Sequence, residues 1–115
     1  MAPGVLNLTF PQGDTWALSL TWNDSAGAPI NLTGYTAAMQ LRLTYDAVTP
    51  VLSLTSTSGI TLGGSAGTVA LLVDAPTTAA IDAGIYVYDL DLRSGGGVVT
   101  RLVQGSVTVT PEVTR

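Results

Sequence analysis

The sequence contains no cysteine, no histidine and no lysine. Without cysteine there is neither a disulfide nor thiolate chemistry, and the redox compartment is left open. Without histidine or lysine, neither a Ser–His nor a Ser–Lys nucleophile can be assembled. The missing lysine also disqualifies Gly63-Gly64-Ser65-Ala66-Gly67 as a phosphate-cradling loop, which needs a lysine and a following helix. A hairpin or crossover loop is the reading there. Charge is scarce: 10% of residues carry one, the cations are Arg42, Arg93, Arg101 and Arg115, and the net charge is −4. A phosphate backbone calls for clustered Lys and Arg, so no nucleic-acid partner is expected. No apolar run approaches the length needed to cross a bilayer, so no membrane partner is expected either. Met1-Ala2-Pro3-Gly4 lacks a basic segment leading into an apolar run, and no secretory leader is expected. The Asn-x-Thr/Ser triplets at Asn7, Asn23 and Asn31 then read as chance. Helix is scarce as well. Pro76–Ile81 is the one short helical turn, with Asp74 or Thr77 as its cap.

What is present is alternation. The 115 residues, 46% of them hydrophobic, make one domain over 1–115 with a real core. Thr15–Trp22 places Trp16, Leu18, Leu20 and Trp22 on one face and Ala17, Ser19 and Thr21 on the other. Thr36–Tyr45 places Ala37, Met39, Leu41, Leu43 and Tyr45 one way and Ala38, Gln40, Arg42 and Thr44 the other. Helix competes over Tyr35–Leu43, which is rich in good helix formers, but the polar residues recur at every second position. Leu6–Phe10, Ile30–Gly34, Val51–Thr57, Ile60–Leu62, Thr68–Asp74 and Val98–Thr110 are further extended pieces, separated by turn residues. Gly105 inside the last one signals a bulge or a close backbone approach.

The clearest strand lies in Asp82–Arg93, which opens with a turn, takes Gly84 as its entry corner and then alternates. Tyr86, Tyr88, Leu90 and Leu92 share its buried face, and Val87, Asp89, Asp91 and Arg93 its wet face. Asp82-x-Gly84-x-Tyr86 resembles the tyrosine corner of immunoglobulin-like sandwiches. The Tyr86 ring would pack in the core while its hydroxyl bonds to backbone near Asp82. Seven to nine short antiparallel strands with frequent turns give an all-β, immunoglobulin-like β-sandwich.

Asp89 and Asp91 lie roughly 7 Å apart by strand rise. They could bind Ca²⁺ or act as an acid/base pair. No Asp-rich loop supplies further oxygens, and a wet strand face with Arg93 or Arg101 as ionic neighbours is the preferred reading. Trp16 and Trp22 could stack on sugars; core packing is preferred, with Trp22, beside a loop, the more exposed of the two. No catalytic, cofactor-binding or metal-binding residue is assigned, no cofactor is expected, and an enzyme is not expected.

Several segments then carry a family likeness. They are Gly13-Asp14-Thr15, Gly27 through Tyr35 with its Leu32-Thr33-Gly34-Tyr35, Met39-Gln40-Leu41-Arg42, Gly67 through Leu71, Ala83 through Leu90, and Gly105 through Val109. Across nearly the whole chain this resembles small immunoglobulin-like proteins of tailed bacteriophages, and it is similar to the N-terminal domain of the siphophage upper baseplate protein BppU. The resemblance implies a virion structural protein that attaches tail or baseplate machinery by protein–protein contact. Its partners would be other virion proteins, its place the virion, and its form a homo-oligomer, a trimer by analogy with phage architecture. Family members continue into a C-terminal module, whereas this sequence stops at Arg115, which makes a stand-alone adaptor or decoration subunit an expectation too. A capsid decoration protein of the head and a carbohydrate-binding module are the alternatives. So little charge is unusual for a free monomer and fits a surface that meets another protein. Residues 1–9 and 111–115 are expected as extended arms that carry contacts.

Overall fold

The computed structural model describes residues 4–113. In chain order the strands are β1 (Gly4–Val5), β2 (Leu8–Pro11), β3 (Trp16–Thr21), β4 (Thr36–Arg42), β5 (Leu52–Thr55), β6 (Ile60–Leu62) and β7 (Thr68–Val73). A five-residue helix, α1 (Ala75–Ala79), precedes β8 (Gly84–Arg93) and β9 (Val99–Thr110). One sheet runs β9–β8–β4–β5, with β1 and β2 following one another along the free side of β9. The second sheet is β3–β7–β6. All pairings between these strands are antiparallel except those of β1 and β2 with β9.

The core forms because strand alternation turns one row of each sheet inward. Leu90 and Leu92 of β8, Leu41 of β4, Val69 of β7 and Val107 and Val109 of β9 are all but inaccessible, and Trp16 closes over them from β3. Burying each such side chain is worth about 1.5–3 kcal/mol. Phe10 stacks on Trp16 at 4.8 Å between ring centroids, and the Trp16 indole N–H donates to the Pro11 carbonyl oxygen at 2.7 Å.

The corner ahead of β8 is built as expected. The Asp74 carboxylate caps α1 by accepting from the Thr77 N–H at 3.1 Å, and the helix ends at Ala79, two residues short of the expected Ile81. Thr78 is wholly buried; its hydroxyl lies 2.6 Å from the Asp14 carbonyl oxygen and 3.1 Å from that of Ala75. The Tyr86 hydroxyl then donates to the Asp82 carbonyl oxygen at 2.6 Å.

Three expectations are corrected. First, β4 stops at Arg42, and Leu43 and Tyr45 are 63% and 78% exposed rather than continuing the inward row. The Arg42 guanidinium donates to the carbonyl oxygens of Ala47 and Val48, at 2.6 and 3.1 Å, and folds the chain back as a loop. Second, Ile30–Gly34 is not a strand. It is an irregular connection anchored by buried Leu32, whose N–H bonds to the Gly64 carbonyl oxygen at 2.9 Å. Third, Gly4–Pro11 lies against β9 rather than standing free as an arm, because backbone pairing and the Tyr88 hydroxyl, donating to the Leu6 carbonyl oxygen at 2.6 Å, hold it there. Residues 1–3 and 114–115 of the expected arms lie outside the described residues. Of the two readings of Gly105, a bulge or a close backbone approach, the structure selects the second: the register shift of β9 lies opposite Leu90/Asp91, not at Gly105.

Gly105 serves the close approach instead. A Cβ there would sit 2.5 Å from the Leu6 carbonyl oxygen and 2.8 Å from Asn7 Oδ1. Its missing side chain lets the N-terminal segment cross β9 and lets Tyr88, directly opposite on β8, reach Leu6.

Candidate functional site

The outer face of the larger sheet gathers the polar side chains of three adjacent strands. Asp89 of β8 stands between Gln40 of β4 and Gln104 of β9, and Asp91 between Ala38 and Arg101. Arg101 reaches this position through the register shift. Val103 opposes Leu90 and Arg101 opposes Asp91, so Leu102 is the extra residue and packs toward the core. A bulge of this kind re-aims side chains on either side of it. The Arg101 Nε then lies 3.4 Å from Asp89 Oδ2 and 3.7 Å from Asp91 Oδ1, and its Nη1 donates to Gln104 Oε1 at 3.2 Å.

Sequence reasoning placed Asp89 and Asp91 together on a wet face with Arg93 or Arg101 as ionic neighbour. The structure selects Arg101. Asp91 Oδ1 is shielded from solvent and makes no hydrogen bond; its 3.7 Å approach to Arg101 is ionic contact without hydrogen-bond geometry. Desolvation, and next the charge of Asp89, push the Asp91 carboxyl above its ordinary range, while Arg101 pulls it back. With one guanidinium shared by two carboxylates, this cluster is an ionic network with one negative charge in excess. Among the described residues no group of three or more His, Cys, Asp or Glu side chains is placed to hold a metal ion.

Beside the network, Gln40, Arg42, Tyr45, Val87, Asp89, Asp91, Arg101 and Gln104 border an open groove of about 370 Å³. Arg42 closes one end, its Nη2 donating to Gln40 Oε1 at 2.7 Å. The loop it holds carries exposed apolar residues: Tyr45, which borders the groove, with Leu43 and Val48, the last 94% exposed. Sequence reasoning missed this tip because it counted Leu43 and Tyr45 into the buried row. The signal available was Asp46-Ala47-Val48-Thr49-Pro50, five residues of turn and loop chemistry immediately after them.

The other aromatic candidates are separate. Trp16 is core. Trp22 is half-buried at the opposite end of the sandwich, edge-on to Tyr35 at 6.3 Å. No stacking platform joins it to the groove.

No protein-family model and no curated protein matches this sequence. Among solved structures it is similar to the crystal structure of a chicken TCR, with a TM-score of 0.59 at 16% identity. The likeness covers 94% of this chain, and this chain spans 54% of that one. The fold is immunoglobulin-like. At this identity the likeness concerns architecture alone. In this immunoglobulin-like sandwich the Tyr86 corner occupies the position its spacing implied, at the start of the strand that carries Asp89 and Asp91. Such folds are typically non-catalytic scaffolds whose function lies in faces and loops grafted on them.

Proposed function

We propose that this domain is a structural module of a tailed-phage virion, in the tail or baseplate, acting through protein–protein contact rather than catalysis. The observation that carries the contact role is the end of the larger sheet, where Leu43, Tyr45 and Val48 stand exposed on a loop that Arg42 pins by two hydrogen bonds. Apolar side chains held out on a fixed loop, next to a polar groove with an ionic cluster, have the make-up of an interface: an apolar anchor and a polar rim. The phage assignment rests on the sequence resemblance to baseplate domains.

Localising the protein on intact virions with a labelled antibody tests the assignment. Label at the tail tip supports it. Label on the head lattice favours a capsid decoration protein instead, and label on neither overturns the virion reading. The contact role is tested by Val48→Asp with Tyr45→Ser. The pair should leave thermal stability unchanged, because both side chains are exposed, and should abolish incorporation into particles. Normal incorporation would move the contact elsewhere.

A further inference from the structure

β3 has hydrogen-bonded strand on one side only. Among the described residues it pairs with β7, and its other edge is open over six residues, Trp16-Ala17-Leu18-Ser19-Leu20-Thr21. An open edge presents unpaired N–H and C=O groups to any extended chain, and proteins usually blunt it with charge, proline, a bulge or brevity. The other edges of this molecule are blunted so. β5 has four residues and β6 three, and the β1–β2 edge is broken at Leu6–Asn7 and ends at Pro11. β3 has none of these devices. Its outward row, Ala17, Ser19 and Thr21, is uncharged and exposed, and the inward-facing Leu18 and Leu20 are only partly buried although they pack against the core.

We propose that the β3 edge pairs with the β3 edge of a second copy, antiparallel about a two-fold axis, joining two three-stranded sheets into one of six. The occupant is chosen by self-complementarity, which charge permits. The chain carries a net −4, which repels a second copy in general, but β3 is an uncharged strip where two copies meet without opposing like charges. Matching inward to inward residues restricts the register. The one that centres on Leu18 sets Leu18 against Leu18 of the second copy, covers both partly buried leucines, and sets Ala17 against Ser19. Such pairing closes on two copies, unlike the three-fold assembly implied by the phage resemblance, and it does not depend on where the protein resides.

A single strand edge buries less than a standard interface of about 1,200–2,000 Å², so the dimer is weak and fills at high concentration. Sedimentation equilibrium of the whole chain from roughly 10 μM to 1 mM should show a monomer–dimer equilibrium. Ala17→Lys/Ser19→Lys opposes lysines twice across the axis and should weaken it by about tenfold or more. Ala17→Glu/Ser19→Lys carries the same number of changes but opposes unlike charges, and should keep the dimer. Hydrogen exchange of wild-type residues 16–21 should slow as concentration rises, which tests the edge even if a variant fails to fold. A monomer throughout the range, as an edge reserved for a foreign strand would give, overturns the proposal. So does a dimer indifferent to the lysine pair, or exchange at 16–21 that ignores concentration.

Discussion

The Tyr86 corner offers a measurable link between one hydroxyl and the fold. In Tyr86→Phe the ring stays in its buried place, and only the 2.6 Å bond to the Asp82 carbonyl oxygen is removed. Such a bond contributes about 1 kcal/mol net. With about 2.1 cal/mol/K of unfolding entropy per residue, a loss of that size lowers the melting temperature of a chain this long by roughly 4 °C. Differential scanning calorimetry at pH 7 reads the shift directly. The pH dependence supplies a second test. Burial, and secondarily the charge of Asp82, raises the Tyr86 phenol above its ordinary value of 10.0, and burial pushes Tyr88 up to about 12. A raised phenol favours the folded state as long as it is protonated. That stability is complete below pH 10, where the unfolded chain is still protonated too, and is lost as pH climbs through the folded value. Denaturant midpoints of the wild type should therefore fall between pH 10 and about 12, and Tyr86→Phe should fall less steeply. A melting temperature unchanged at pH 7 would refute the corner as a stabilising device, whatever the strand geometry.

Three further outcomes follow from other parts of the molecule. Thr78→Val keeps the volume of a wholly buried side chain but strips the Asp14 and Ala75 carbonyl oxygens of its hydroxyl; it should cost about 1–3 kcal/mol in chemical denaturation. Asp91→Asn should raise the denaturation midpoint at pH 7, because the native carboxylate is ionised against a raised pKa. That gain should vanish below the ordinary value of 3.8, where the wild-type carboxyl is protonated in both states; a midpoint unchanged or lowered at pH 7 would show that the ionic attraction of Arg101 outweighs desolvation. Asp74→Ala should lower the melting temperature by removing the α1 cap, and because hydrogen bonds to Thr77 hold the Asp74 carboxyl below its ordinary range, the difference from wild type should shrink as pH falls through that lowered value.

Much of this architecture is written in local patterns. Period-two alternation placed β3, β7 and β8 within about one residue of their observed ends, since one buried and one wet face leaves no other register for them. The Asp82–Tyr86 spacing gave the corner because the bond spans four residues. Features that depend on distant partners were not legible. Arg42 ends β4 by bonding to carbonyls five and six residues on, and an alternating pattern alone could not reveal that Leu43 and Tyr45 belong to the turn. The bulge that hands Arg101 to Asp89 and Asp91 is a property of the β8–β9 pairing. Even the extended Ile30–Gly34 segment was misread because its hydrogen bonds go to Trp22 and Gly64, across loops, rather than to a strand.

One glycine connects the N-terminal segment to the open edge. A chain entering this sandwich ahead of β3 has two places to lie, beside β9 or beside β3. Gly105 leaves room for the first: the Leu6 carbonyl crosses where a Cβ would stand, Tyr88 donates to it, and Asn7 Oδ1 accepts from the Ser106 N–H at 3.1 Å. With the segment on β9, nothing among the described residues is left to cover β3. Gly105→Ala therefore perturbs more than packing. The added methyl meets backbone, which cannot swing aside as a side-chain tip can, so the segment must lift from β9 at a cost of about 1–3 kcal/mol. Hydrogen exchange should then quicken over residues 4–11 while the β8–β4 pairing keeps its protection. Equal protection of residues 4–11 in variant and wild type would mean that the segment is held without the Gly105 gap.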